Sequence, residues 1–412
     1  MPPRGAQRAT SFLAKIDLNL SCKRFSRKDV DCLIYYIGYY SCDIIREEQR
    51  IAAPATINKM GYIISVLSER EGNAAMVVSP AETELGRYTR GSLHQLHEGV
   101  TLRTFDSIRG KHKLLRFLGH ALTKKQMLGF LRKNVGKDDT LIVYHSLALM
   151  KCVKKIKSAK KCKLIIEVEE LYSDVKENET LRKKEIDYLQ IADGYIVITE
   201  LLNKEINLEN KPSVVSHGTY RVVPDYGDKR NDGKIHVVYA GSFNPVKGGA
   251  CTAVEAAAYL DENYVLHILG KGIDAHRAIV LQKIEQIART SLCEIRFDGY
   301  KTGVEFDRFI QSCHIGLSTQ QPDGKYNASS FPSKVLMYMS NGLPVVSVKI
   351  PAVASSSVGA YISYYDEPRP EKIAEAIMAV SREERKDVRE KLRELDTAFG
   401  QALSLLLEGS SL

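Results

Sequence analysis

No run of eighteen apolar residues occurs in the 412-residue chain, and its N-terminus lacks the short apolar core of a secretory signal. Neither a membrane-spanning helix nor export is indicated, and a cytoplasmic protein is the expectation. CxxC is also missing. The eight cysteines, at 22, 32, 42, 152, 162, 251, 293 and 313, never take that spacing, and several fall in predicted strands. Buried reduced thiols are therefore favoured over disulfides, and no metal site is expected. Acidic residues are absent from Lys111 to Lys137, which holds eight Lys and Arg among Leu114, Leu115, Phe117, Leu118, Leu122, Met127, Leu128, Phe130 and Leu131. No recognised nucleic-acid-binding motif accompanies that charge, so no nucleic-acid partner is expected.

What is present points to an ordinary α/β protein. An apolar content of 44% over 412 residues is enough for two substantial cores. The net charge of +9 is uneven: residues 1–218 hold 36 basic against 26 acidic residues, and residues 219–412 hold 23 against 24. Two readings stand for Lys111 to Lys137: a basic amphipathic helix lying on an anionic membrane, or a solvated helix packed on the sheet by its apolar side.

Taken in order, residues 1–27 are basic and aperiodic and read as a disordered leader, with a mitochondrial presequence as the minor alternative. Strands are predicted at Asp31 to Tyr40, Ala74 to Ser79, Gly99 to Phe105, Thr140 to Tyr144, Lys163 to Val168, Gly194 to Ile198 and Ser213 to Ser216. Helices are predicted at Ala55 to Ser68, in the basic stretch, at Leu147 to Lys157 and at Leu181 to Ile191. Such alternation makes βαβ units and a parallel sheet, here a first domain over 28–218. Gly, Pro, Asp and Asn dominate 219–234, an interdomain linker. A second alternation fills 235–380, with strands at Ile235 to Ala240, Tyr264 to Leu269, Cys293 to Phe297, Ile315 to Ser318 and Leu343 to Val348. A shorter strand follows at Tyr361 to Tyr364, and a helix over Glu383 to Leu407 closes the chain within 381–412. Asp29-Val30-Asp31 has the form of a metal-binding DxD, but its place before the first strand makes coincidence the better reading.

The second domain is organised around Tyr326 to Val346. Ser329 and Ser330 lead into Phe331-Pro332-Ser333-Lys334; Val335, Leu336 and Met339 recur at helical spacing, and Asn341-Gly342 ends the helix before a buried strand. Pro332 suits the first turn, and a helix N-terminus with its free N–H groups suits phosphate.

Gly241-Ser242-Phe243-Asn244-Pro245-Val246-Lys247-Gly248, Leu269-Gly270-Lys271-Gly272, Phe297-Asp298-Gly299-Tyr300 and the Phe-Pro-Ser-Lys helix before Gly342-Leu343-Pro344-Val345-Val346 follow in order over about 110 residues. Together they resemble the donor domain of glycosyltransferase family 4. The first half is similar only in outline, with Ala55-Thr56-Ile57-Asn58-Lys59-Met60 where the family opens its first acceptor-side helix. The resemblance implies a GT-B fold, two Rossmann-like domains facing each other across a cleft. It also implies retaining, metal-independent transfer of a hexose from a nucleotide sugar, UDP- or GDP-linked, to a glycan or lipid-linked acceptor at the inner membrane face, with no cofactor.

On that resemblance Lys247 neutralises the departing diphosphate, and His145 stands near the reacting sugar, a strand-end packing histidine being the alternative. Donor contacts are implied for Gly241, Ser242, Gly248, Gly270, Lys271, Gly272, Tyr300, Ser329, Ser330, Phe331, Pro332, Ser333, Lys334 and Met337. Acceptor contacts are implied for Asn58, Lys59 and Glu169. Three positions depart from the family pattern: Ser242 where many members have arginine, and Ser329 and Met337 where many have the two glutamates separated by seven residues. Methionine cannot accept a ribose hydroxyl's hydrogen bond with comparable strength. Either other groups hold the donor, Lys334 supplying the cation, or catalysis is lost and the chain is a noncatalytic partner of another transferase. A nucleotide-sugar epimerase is the remaining alternative.

Overall fold

The computed structural model describes residues 33–69, 74–86, 88–109, 113–227, 229–245, 249–320, 330–382 and 388–409. The expected leader and the Asp29-Val30-Asp31 triplet lie outside them. Short runs rich in Val, Ile, Leu and Tyr form the strands of the first half. These are β1 (Leu33–Ile37), β2 (Ala74–Ser79), β3 (Leu93–His97), β4 (Val100–Thr104), β5 (Thr140–Tyr144), β6 (Lys163–Val168), β7 (Gly194–Val197) and β8 (Ser213–Val215). Around them lie α1 (Pro54–Ser68), α2 (Lys113–Asn134), α3 (Met150–Lys160), α4 (Tyr172–Val175), α5 (Glu179–Leu189) and α6 (Glu200–Ile206). The second half contains β9 (Ile235–Ser242), β10 (Tyr264–Lys271), β11 (Glu294–Gly299), β12 (Ile315–Ser318), β13 (Val345–Val348) and β14 (Ile362–Tyr365). Its helices are α7 (Gly249–Ala256), α8 (Asp274–Ala288), α9 (Gly303–Gln311), α10 (Ser333–Ser340), α11 (Pro351–Ala354), α12 (Pro370–Arg382) and α13 (Arg389–Glu408).

Two sheets result, in the order β3-β4-β2-β1-β5-β6-β7-β8 and β11-β10-β9-β12-β13-β14. All described pairings within them are parallel except β3 with β4. Central strands such as β5, β6 and β7 are buried along nearly their whole length, as continuous apolar runs covered on both faces should be. β3 and α6 are not foreseen by the pattern. β3 reads Leu-His-Gln-Leu-His and alternates exposed with half-buried positions, an edge strand without an apolar run. α6 is only seven residues long, but Thr199 caps it by accepting the Leu202 N–H at 3.1 Å. The predicted helix at Leu147 starts later, at Met150, because Ser146 to Leu149 form a turn in which Leu149 N–H bonds the Ser146 carbonyl.

In each sheet the strand order reverses at one place, beside β1 in the first and between β9 and β12 in the second, and ligands of open parallel sheets bind at the carboxyl ends there. α10 is fastened at the second of these points by one side chain. Tyr338 is fully buried, and its hydroxyl accepts the Ala240 N–H of β9 at 2.7 Å, a donor that β12 leaves unpaired once its pairing with β9 ends at Gly316. The ring lies over Gly316, where a Cβ would come within 2.3 Å of Tyr338 Cγ. Only glycine leaves room for it.

The linker is pinned to the second sheet by a buried polar chain. His236 Nε2 meets Asp232 at 3.0 Å, His236 Nδ1 meets His267 Nε2 at 2.8 Å, and His267 Nδ1 meets Asp298 at 2.8 Å. The Arg230 guanidinium donates to His267 Nε2 at 2.9 Å. Both rings are fully buried, so aperiodic composition here conceals a fixed structure. α13 then returns to the first domain: Tyr62 stacks on Phe399 and donates to Asp396, and Lys163 donates to the carbonyls of Leu406 and Leu407.

Gly316→Ala should force Tyr338 outward and lower unfolding stability by about 1–3 kcal/mol, an overpacking penalty. Urea denaturation checks it; an unchanged midpoint would show that α10 is not held this way.

Candidate functional site

At the reversal of the second sheet, the carboxyl ends of β9 and β12 meet the starts of α7 and α10. The Thr319 hydroxyl donates to the Gly249 carbonyl at 2.7 Å, joining the end of β12 to the first residue of α7. Gly241 and Ser242 end β9 and Lys271 ends β10, and Phe243 N–H bonds the Lys271 carbonyl at 2.9 Å. Gly270 has φ +155°, and a Cβ on it would lie 1.8 Å from the Gly241 carbonyl oxygen. That glycine serves the close approach of β9 and β10. Gly272 follows, packed against Phe243. Lys247, Gly248 and Ser329 lie outside the described residues.

Lys334 is the chemical centre of this region. It sits in the first turn of α10, its Nζ 4.2 Å from the Tyr239 ring centroid and 3.1 Å from where a Gly241 Cβ would stand. Burial lowers its pKa from 10.5 to about 8, and no anionic group among the described residues offsets that loss of hydration. A desolvated cation, the N-terminus of α10 and the Gly241 backbone thus share one small space, an arrangement suited to an anion. Pro332 is the N-cap and not a helical residue, Ser330 and Phe331 precede it, and exposed Ser333 opens the helix. Met337 is half-buried and packs on the core, so it presents no acceptor to a ribose. Tyr300 is 55% exposed, and Lys271 Nζ lies 4.6 Å from its ring centroid, forming a separate aromatic and basic rim.

The first domain places a second polar cluster at the carboxyl ends of its strands. Lys59 of α1 is 4% exposed; its ammonium donates to the Ser216 carbonyl at 2.6 Å and lies 3.4 Å from Glu169. Asn58 is turned outward to solvent on the same helix. Glu167 is fully buried and accepts from the Tyr36 hydroxyl, while its Oε1 has no hydrogen-bond partner among the described residues. Burial first, and then the Glu169 carboxylate, raise the Glu167 pKa from 4.5 to about 8.

His145 follows β5, but it is 1% exposed, stacked on Tyr188, and its Nε2 is 2.6 Å from Glu185. Glu185 also accepts the N–H groups of Tyr172 and Ser173. Burial pushes the Glu185 pKa up, and these hydrogen bonds outweigh it and hold the carboxyl below its usual range. The ring thus ties α5 to the end of β5, while its Nδ1 has no hydrogen-bond partner among the described residues.

Sequence reasoning missed Tyr239, Tyr338, Tyr36 and His217. The tyrosines are embedded in apolar runs, where pattern alone cannot separate a working hydroxyl from a core ring. His217 carried a signal, a lone histidine between strand end and linker.

Residues 234–383 match the family described as Glycosyl transferases group 1. The Gly241 loop, Lys334 and Met337 all lie inside the matched segment, which ends just past α12. No curated protein sequence matches the chain. Among solved structures, an α,α-trehalose-phosphate synthase (UDP-forming) from Burkholderia xenovorans, in complex with glucose-6-phosphate, superposes with a TM-score of 0.62 at 13% identity. That match covers 92% of this chain and 98% of the other. Anabaena HepE, in complex with UDP and glucose, gives 0.62 at 12% identity, covering 92% and 100%. The likeness is one of fold, and the chain has the GT-B architecture of two Rossmann-like domains.

Glu167 yields a pH prediction. Its folded-state carboxyl keeps a proton up to about pH 8, whereas an unfolded one loses it near 4.5, so the folded state binds the extra proton between these values. Stability from this residue therefore falls as pH rises through that window. Glu167→Gln, which copies the protonated form, should gain on the wild type from pH 5 to pH 8, reaching about 1–3 kcal/mol. Parallel chemical denaturation at both pH values checks the sign; a constant gap would refute it.

Proposed function

We propose that the chain is a retaining glycosyltransferase that moves a hexose from a UDP- or GDP-sugar to a glycan or lipid-linked acceptor, without a metal. The observation that carries this reading is Lys334: a desolvated cation with no anionic partner among the described residues, at a helix N-terminus, beside Gly241, at the reversal of the second sheet. A donor diphosphate lying there would receive the ammonium together with the N–H groups of the first turn of α10. The bond from sugar C1 to the distal phosphate oxygen breaks, the acceptor oxygen bonds C1 on the same face, and the departing diphosphate takes the acceptor's proton. Charge growing on that leaving group is what the cation stabilises. Lys334 takes the place of the arginine absent at Ser242, and Lys247 keeps its sequence-derived role as a second cation. The Lys271–Tyr300 rim suits the base, and Lys59 with Glu169 suits acceptor hydroxyls.

Below pH 8 Lys334 is charged and should hold a diphosphate; as pH rises through about 8 the proton is lost and binding should weaken. Lys334→Met should weaken nucleoside diphosphate binding about 10- to 100-fold at pH 7. It should also remove the alkaline fall. Calorimetry with UDP, GDP, ADP and dTDP, followed by transfer assays with the matching sugars, checks both statements. Binding without transfer or hydrolysis would favour the noncatalytic partner, and conversion of the donor sugar without acceptor would favour an epimerase.

Among the described residues no helix is long and apolar enough to cross a membrane. α2 nevertheless leaves Phe117, Leu118 and Leu122 exposed beside Lys125, Arg132 and Lys133. Such a face suits peripheral attachment to an anionic leaflet, on the cytoplasmic side where a lipid-linked acceptor would present its sugar. The protein should co-sediment with phosphatidylglycerol vesicles and not with phosphatidylcholine, and the double change Phe117→Asp, Leu118→Asp should abolish this. Absence of wild-type sedimentation would remove the membrane from the reading.

A further inference from the structure

The chain leaves the first domain through Ser216-His217-Gly218, and each of the three residues is tied to a different element. The Ser216 carbonyl receives the Lys59 ammonium from α1 at 2.6 Å. His217 is 1% exposed; its Nδ1 is 2.8 Å from the Ile198 carbonyl just after β7, and its backbone N–H donates to the Tyr220 hydroxyl at 3.0 Å. A carbonyl only accepts, so Nδ1 carries the proton and Nε2 is left as an acceptor. The Ser357 N–H of the second domain points at that nitrogen from 3.5 Å. On its face the ring stacks with Phe331, centroids 5.0 Å apart and planes at 23°. Phe331 immediately precedes Pro332, the N-cap of α10. Gly218 follows with φ +153°, a conformation side chains rarely adopt, and a Cβ there would stand 3.0 Å from Leu336 Cδ1, one turn further along α10. The junction between the domains therefore grips the start of the same helix that carries Lys334.

We infer that His217 is a positioning residue for the anion cradle: its neutral ring, hung from Ile198 of the first domain, holds Phe331 and with it the first turn of α10 and Lys334. As a statement about catalysis it rests on the donor reading proposed above. A proton on Nε2 would turn that nitrogen from acceptor to donor and set it against the Ser357 N–H. The groups facing the ring are Lys59, Tyr220, Phe331, Ser357 and Glu200, whose Oε1 lies 3.8 Å from Nε2. Burial lowers the His217 pKa, Glu200 acts to raise it, and Lys59 adds to the lowering. The ring is thus neutral at neutral pH and takes up its proton only in acid.

The test uses the full chain with His217→Leu, His217→Gln and Phe331→Leu, the last removing the stack from the other side should the first fail to fold. Two measurements are made: hydrogen exchange across α10, and calorimetry with UDP and GDP from pH 5 to pH 8. Expected are faster exchange in the first turn of α10, with β9 amides unchanged, and nucleotide binding about tenfold weaker for His217→Leu and Phe331→Leu. Wild-type binding should weaken on acidification, and His217→Gln should lack that acid limb. Folded variants whose α10 exchange, affinity and pH profile all equal the wild type would overturn the proposal. If the wild type binds neither nucleotide while α10 exchange still rises in the variants, positioning stands and the donor reading falls. If the wild type binds and α10 exchange is unmoved, positioning falls and the donor reading stands.

Discussion

The hydrogen bond from the Ala240 N–H to the Tyr338 hydroxyl is the constraint on which the second domain's site depends. A parallel sheet that reverses its strand order must let neighbouring strands diverge at their carboxyl ends, and that divergence exposes a buried donor. Here a helix side chain fills the gap and satisfies the donor together. With Gly316 making space below, α10 has little freedom to slide, and its N-terminus is aimed at the crevice that the diverging strands create. The placing of the α10 N-terminus and the structural solution to an open sheet are one feature.

Against that fixed frame, the charge of Lys334 has no anionic partner among the described residues. Elsewhere among the described residues buried charges have partners: Arg50 with Glu48 and three carbonyls, Lys59 with Glu169 and Ser216, Glu185 with His145 and two N–H groups. The contrast is what gives the lysine meaning. A cation desolvated beside a helix N-terminus is the kind of group that an anionic ligand would stabilise.

Much of this was legible in the sequence, for reasons that differ between the halves. Runs such as Ile235 to Ala240 and Lys163 to Val168 announced buried parallel strands because covered sheets need continuous apolar segments. The Gly241 loop and the Phe-Pro-Ser-Lys helix could be read because their chemistry is local, a helix start beside a glycine turn. Lys334 was nameable as a candidate cation, yet its isolation was not, since that depends on what Tyr239 and Gly241 bring from another strand. The partner of His145 was not legible, because a histidine ending a strand looks the same in sequence whatever its ring meets, here Glu185, forty residues away. The edge strand β3 and the linker's histidine chain were invisible for the same reason: their partners are distant, and no period marks them.

α13 starts against the end of α10, where the Arg389 guanidinium lies 3.3 Å from the Gly342 Cβ position, and finishes beside β6 and β8 of the other domain. The chain therefore passes between the domains twice, once through Ser216-His217-Gly218 and once along α13. A single covalent crossing behaves as a swivel and lets two bodies twist freely. Two crossings restrict that twist. The Lys59 side and the Lys334 side are thereby tied to each other by two spans of chain.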